Sequence, residues 1–216
     1  MHIPDGFLNV ATVATTCVVS AGGVGGAVRI VGKKLGEKQV PLMGILAAFI
    51  FAAQMLNFPV AGGTSGHVIG AALAAILLGP WAAVLIMACV LIAQCLIFQD
   101  GGLLALGANI FNMGIVASFS AYYVYKLITW LAGNARKSTL VGGFAAAWVS
   151  VFLASIFCAL ELAVSGSSPF GVVLPAMAGV HALIGIGEGL ITTAVLGLVL
   201  ATRADLLQLQ RIRVGG

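Results

Sequence analysis

Apolar residues run along this chain in long blocks separated by short polar punctuation, without the alternation or narrow stripes of a water-soluble fold. Runs long enough to cross a bilayer as helix cover about 8–30, 41–58, 103–131, 140–164 and 172–201. The stretch 67–98 is either one kinked helix or two short ones broken at Gly79-Pro80. Gly just past a helix end and Pro at the start of the next is the punctuation of two. The first of these, 67–78, would be about 18 Å long at helical rise, too short to cross alone. The segment before it, NFPVAGGTSG (57–66), is expected to dip into the outer leaflet as irregular backbone. Such backbone is tolerated there only when buried in protein or lining a cavity, so a cavity roofed by this segment should open outward.

Composition settles the class. Of 216 residues, 61% are hydrophobic and 7% charged, against roughly 25% charged in a soluble domain. A surface of globular size cannot be wetted this way, so the chain is read as one integral membrane domain over 1–216, with no room for a soluble catalytic domain. The 29 glycines suit helices that pack backbone to backbone. A net charge of +4 without a basic stripe or interleaved aromatics excludes nucleic acid as a partner. Cys17, Cys89, Cys95 and Cys158 lie inside apolar runs without a Cys-x-x-Cys pair and read as small buried hydrophobes.

Charge decides between one helix and two. With two, the loop holding Lys33, Lys34 and Lys38, the loop holding Arg136 and Lys137, and the tail with Arg203, Arg211 and Arg213 share one face. Arg29 and Lys126 end spans on that face, so all ten basic residues are cytoplasmic, as the positive-inside rule asks. A merged helix would split them four against six. Trp81, Tyr122, Tyr123, Tyr125 and Trp130 then gather at the inner boundary. The expected fold is all-α, a bundle of seven transmembrane helices with the N-terminus outside and the C-terminus cytoplasmic. Positions 7–20 lack the preceding positive charge of a signal peptide and read as a retained span.

The outer face carries the chemistry. The chain opens MHIPDGFL, and a free Met1 α-amine, the His2 amide nitrogen and the His2 imidazole can close fused five- and six-membered rings on one ion. His67 would add a fourth nitrogen, giving a planar all-nitrogen set that suits nickel(II) or copper(II) and not magnesium or calcium. The Pro4-Asp5-Gly6 turn can fold the terminus back toward the cavity.

The segments MHIPDGFL, GGTSGHVIG (62–70) and HALIGIGEGLIT (181–192) resemble the signature segments of the CbiM/NikM family. Its members are the substrate-binding (S) components of energy-coupling-factor (ECF) transporters for cobalt and nickel. The resemblance covers essentially the whole chain, with an extra N-terminal helix ahead of a six-helix core. It implies that Met1, His2 and His67 bind the metal, with nickel(II) or cobalt(II) as transported substrate and no cofactor. It also implies a non-catalytic subunit in the cell membrane that works with a transmembrane T subunit and a pair of ATP-binding-cassette ATPases, with a small accessory membrane protein as a further partner.

Other polar residues keep two readings each. His181 and Glu188 are two turns apart on one helix face, as a functional pair or a structural one. A self-contained proton-coupled carrier using that pair is the rival function. Asn109 and Asn112, like Gln54 and Asn57, line the cavity or bond helices together, and Asp5, Asp100 and Glu161 attract cations or solvate loops. Small-residue spacing recurs at Gly22/Gly26, Ala48/Ala52 and Gly185/Gly189. The family's Ala-x-x-x-Ala surface implies Ala48 and Ala52 as the T-subunit contact. The segment AVRIVGKK (27–34) lacks the first Gly and the Ser/Thr of a P-loop. No His-Glu-x-x-His or Gly-x-Ser-x-Gly motif occurs, so ATP hydrolysis has to come from partners.

Overall fold

Asn9 starts the first helix: its Oδ1 accepts the Thr12 N–H at 2.8 Å, an N-cap bond that satisfies one of the orphan donors of a helix end. The computed structural model describes residues 1–34, 36, 39–60, 64–133 and 135–207. Helix α1 (Val10–Lys34) is followed by α2 (Val40–Gln54), with proline in its first turn. A short antiparallel hairpin, β1 (Phe58–Val60) and β2 (Thr64–Gly66), comes next, with Pro59 opposite Ser65. Then come α3 (Ala71–Leu78) and α4 (Pro80–Phe98). Gly79, at φ 90°, ends one and Pro80 opens the other, so the two-helix reading of 67–98 holds.

The expected irregular backbone of 57–66 is corrected by the hairpin. Pairing β1 with β2 satisfies backbone groups that would otherwise be costly away from water. The second apolar run accordingly leaves the helix at Gln54 and does not continue to 58. The tip at 61–63 lies outside the described residues, as do Lys38, Arg211 and Arg213 of the basic-residue pattern.

Residues 106–131 are helical throughout, as α5 (Leu106–Asn109), a π-helical segment (Ile110–Val116) and α6 (Ala117–Leu131). Helices α7 (Arg136–Val164) and α8 (Phe170–Thr202) complete the chain. The π segment admits one extra residue per turn, a local strain often found at functional sites. Asn112 sits within it and Asn109 directly before it.

Burial ranks the helices. Every residue from Ala71 to Leu77 in α3 is buried, so this short apolar helix is the centre of the bundle. Helix α1 is peripheral, packed on α4, α5 and the π segment, with most of its remaining surface turned outward. Helices α7 and α8 pack closely along their length: Gly185 faces Trp148, Gly189 faces Phe144, and the Trp148 indole donates to Ala182 O at 3.0 Å. Of the three small-residue pairs, only this one seats large side chains on both glycines. Among the described residues α1, α4, α7 and α8 are long and apolar enough to cross a membrane, and α2 is a shorter apolar helix. Trp81 lies edge-on to Phe119 at 4.9 Å and Tyr122 edge-on to Tyr123. The reading of all four cysteines as buried is corrected. Cys95 and Cys158 are buried, whereas Cys17 and Cys89 are exposed on the apolar outer surface of α1 and α4.

Candidate metal centre

Residues 1–3 run as an extended strap into the bundle beside β2. The Met1 amine donates to Ser65 O and, at 3.1 Å, to Ser65 Oγ; the His2 amide N–H donates to the same Oγ at 3.2 Å. Thr64 Oγ1 donates to His2 O at 3.2 Å. Asn109 grips both sides of Ile3: its Oδ1 accepts the Ile3 N–H at 2.8 Å and its Nδ2 donates to Ile3 O at 3.2 Å. Gly102 N donates to Ile3 O as well. The expected outward cavity is therefore filled by the chain's own start, with Met1 0%, His2 3% and His67 1% exposed.

The turn after the strap fastens it. Asp5 accepts the N–H groups of Leu103 (3.0 Å), Leu104 (2.8 Å) and Ala105 (3.3 Å). These are orphan donors just ahead of α5, where a carboxylate is favoured. Asp5 is thus an anchor and not a cation lure. Gly102 lies so close beneath that a Cβ there would overlap the Asp5 backbone nitrogen.

Each imidazole is held through one ring nitrogen by a different partner. Gln94 Oε1 is 3.1 Å from His2 Nε2; with the oxygen accepting, Nε2 carries the hydrogen and Nδ1 keeps its lone pair. That Nδ1 faces Asp100 Oδ1 at 3.3 Å but has no aligned hydrogen bond among the described residues. His67 Nδ1 is 2.7 Å from Val68 O. A carbonyl only accepts, so Nδ1 is protonated and the lone pair lies on Nε2, which is buried without a hydrogen-bond partner among the described residues. The two rings stack with centroids 4.6 Å apart.

Burial keeps these nitrogens unprotonated. It lowers the Met1 amine from 8.0 to about 5, with Cys158 and Asp100 opposing. It lowers His2 to about 3, helped by the nearby amine and opposed by the Gln94 bond. His67 falls well below its ordinary value through burial first, then the charges of the amine and His2, with a smaller contribution from His181. Asp100 is raised, chiefly by burial.

The remaining sequence candidates divide. Glu188, from α8, accepts the N–H groups of Ile69 and, at 2.6 Å, Gly70, so it holds the loop that carries His67. His181 Nδ1 donates to Met177 O at 2.8 Å. Asn112 does not reach the strap; its Nδ2 donates to Glu161 Oε2 at 2.6 Å. Gln54 donates to Ile69 O at 2.7 Å and Asn57 to Asp100 Oδ2 at 3.0 Å. Ala48 and Ala52 are exposed on α2, away from the strap. Sequence reading missed Ser65 and Gln94. Gln94 had a signal, being a lone amide inside the apolar run of α4.

No group of three or more His, Cys, Asp or Glu side chains that could hold a metal occurs among the described residues. Two imidazoles, one amine and one amide converge instead, a set that counts only if the chain terminus is a ligand.

A model of the family described as the cobalt uptake substrate-specific transmembrane region, CbiM, matches residues 2–206. A putative fused nickel transport protein NikMN of Archaeoglobus fulgidus is 46% identical over 96% of this chain and 68% of its own length. A cobalt transport protein CbiM of Pelobacter propionicus is 39% identical over 93% of this chain and 91% of its own. A crystal structure of a transition metal transporter superposes with a TM-score of 0.86 at 36% identity, covering 100% of both chains.

Proposed function

The chain belongs to the CbiM family of cobalt and nickel transport proteins and is a multi-pass membrane protein, and from that premise we propose that it captures one nickel(II) or cobalt(II) ion on the outer face as the substrate-binding subunit of an ECF-type transporter. The observation that carries this reading is convergence. The Met1 amine and the His2 amide both point their hydrogens at one atom, Ser65 Oγ, while His2 Nδ1 and His67 Nε2 keep lone pairs with no aligned donor. A cation that takes the amine lone pair and displaces the amide proton to solvent would gain two chelate rings from Met1-His2 and an imidazole from His67. The donors are all nitrogen, which favours nickel over cobalt by ligand preference.

Seven crossings with the N-terminus outside place this centre beneath the outer surface, closed by Asp5, Asn109 and Gly102. The chain hydrolyses nothing. Release inward draws on a T subunit and two ATPases, with a small accessory membrane protein in the assembly. Ala48 and Ala52, exposed beside Ile45 and Phe49 on α2, suit the T-subunit contact. The proton-coupled carrier is disfavoured because both Glu188 oxygens already accept backbone N–H groups.

Protons set the direction of the pH dependence. Between pH 8 and pH 5 an undocked terminus takes up a proton that the docked amine, held at about 5, refuses. Docking therefore weakens as pH falls across that window, by about 1.4 kcal/mol per unit. Displacement of the amide proton by the metal adds to the same trend. Nickel titrated into purified protein at stepped pH is expected to bind one ion per chain, with affinity falling at least ~10-fold per unit in that window. A pH-independent affinity contradicts the reading.

A further inference from the structure

The peptide bond between Val68 and Ile69 joins two of the contacts above. Its carbonyl oxygen accepts from His67 Nδ1 at 2.7 Å, and its N–H donates to Glu188 Oε2. In a trans peptide the C=O and N–H point opposite ways along one dipole, so the contacts lie in line: carboxylate, peptide N–H, peptide C=O, imidazole Nδ1–H, bare Nε2. We propose that Glu188 is a positioning residue for metal capture, tuning His67 Nε2 through this peptide as a carboxylate bound directly to a ligating histidine would. The inference rests on the reading of His67 as a ligand.

Three features of the structure support it. Both Glu188 oxygens accept N–H groups, from Ile69 and from Gly70, so the whole carboxylate is committed to this loop. Glu188 is 2% exposed and His67 1%, and in so dry a setting hydrogen bonds in a chain polarise one another. The peptide has little freedom to turn away. Gln54 holds the carbonyl of the next peptide, Ile69 O, at 2.7 Å. Gly70 sits at φ 81° with Ile50 Cγ1 only 2.7 Å from where a Cβ would stand. A negative charge at the far end draws the peptide N–H toward it and enriches the carbonyl oxygen. The stronger pull on Nδ1–H makes Nε2 a better donor to metal. Histidine ligands commonly have such support, and removing it costs about 10–100-fold in affinity.

Two substitutions separate tuning from mere bracing. Glu188→Gln keeps the side-chain length and one acceptor but removes the charge; Glu188→Asp keeps the charge and shortens the arm. Tuning predicts that Glu188→Gln binds nickel about 10–100-fold more weakly with a shifted ligand-field absorption band, and that Glu188→Asp stays closer to wild type. Bracing alone predicts the reverse order, and that order overturns the proposal. A second measurement needs no metal. The imidazole Nδ1–H resonance of His67, read by NMR on histidine-labelled protein, is expected to move upfield in Glu188→Gln and to stay in place in Gln54→Leu, which loosens the loop without touching charge. An unmoved resonance in Glu188→Gln also overturns it. If the resonance moves while His67→Ala binds nickel as wild type does, the metal-ligand reading of His67 fails and the hydrogen-bond chain stands.

Discussion

One glycine placed ahead of Met1 lowers nickel affinity by about a thousandfold or more, roughly 4 kcal/mol. Acylation turns the amine into an amide whose lone pair is delocalised, so the five-membered chelate ring loses its primary donor. Space compounds the loss. Met1 is fully buried and its nitrogen already donates to Ser65 O and Oγ, so the added residue is expected to lift the strap. The Ile3–Asn109 and Asp5–Leu104 hydrogen bonds would then open together. Equilibrium competition against a chelator of known affinity, on protein tagged only at its C-terminus, reads the difference. Equal affinity for the two forms removes the terminus from the site.

His67→Ala is expected to weaken nickel binding about 100–1000-fold, the loss of one directly bonded donor from a four-donor set, or roughly 3–4 kcal/mol. The fold should survive. The loop is held by Glu188 on Ile69 and Gly70 and by Gln54 on Ile69 O, contacts that do not use the imidazole. The lost ring leaves His2 without its stacking partner, so a modest fall in thermal stability is expected as well. The same competition assay, together with a melting curve, separates the two effects: retained folding with retained affinity means His67 is not a ligand.

The sequence made the local and covalent features legible. The break at Gly79-Pro80 follows from backbone chemistry, and the chelating potential of Met1-His2 from bond connectivity, so both could be argued without knowing the fold. Three things depended on distant packing and were not legible. Ser65, which gathers the two nitrogens, looks like any turn serine until the strap is laid beside β2. Glu188 reads as the partner of His181 until α8 is packed against the loop after β2, where it accepts from Ile69 and Gly70 instead. Asn109 and Asn112 are equivalent by spacing, yet one grips Ile3 and the other Glu161, because Asn109 precedes the π segment and Asn112 lies within it. The hairpin at 58–66 was missed because its strands are three residues each, too short for alternation to register.

The central claim is that the metal is held by nitrogen alone: amine, amide and two imidazoles. X-ray absorption at the nickel edge of the loaded, C-terminally tagged protein tests it most directly. The account predicts a four-coordinate planar edge signature, a single shell of nitrogen scatterers and the outer-shell pattern of two imidazoles. A six-coordinate oxygen shell, or a sulfur shell from the Met1 thioether or Cys158, would contradict it.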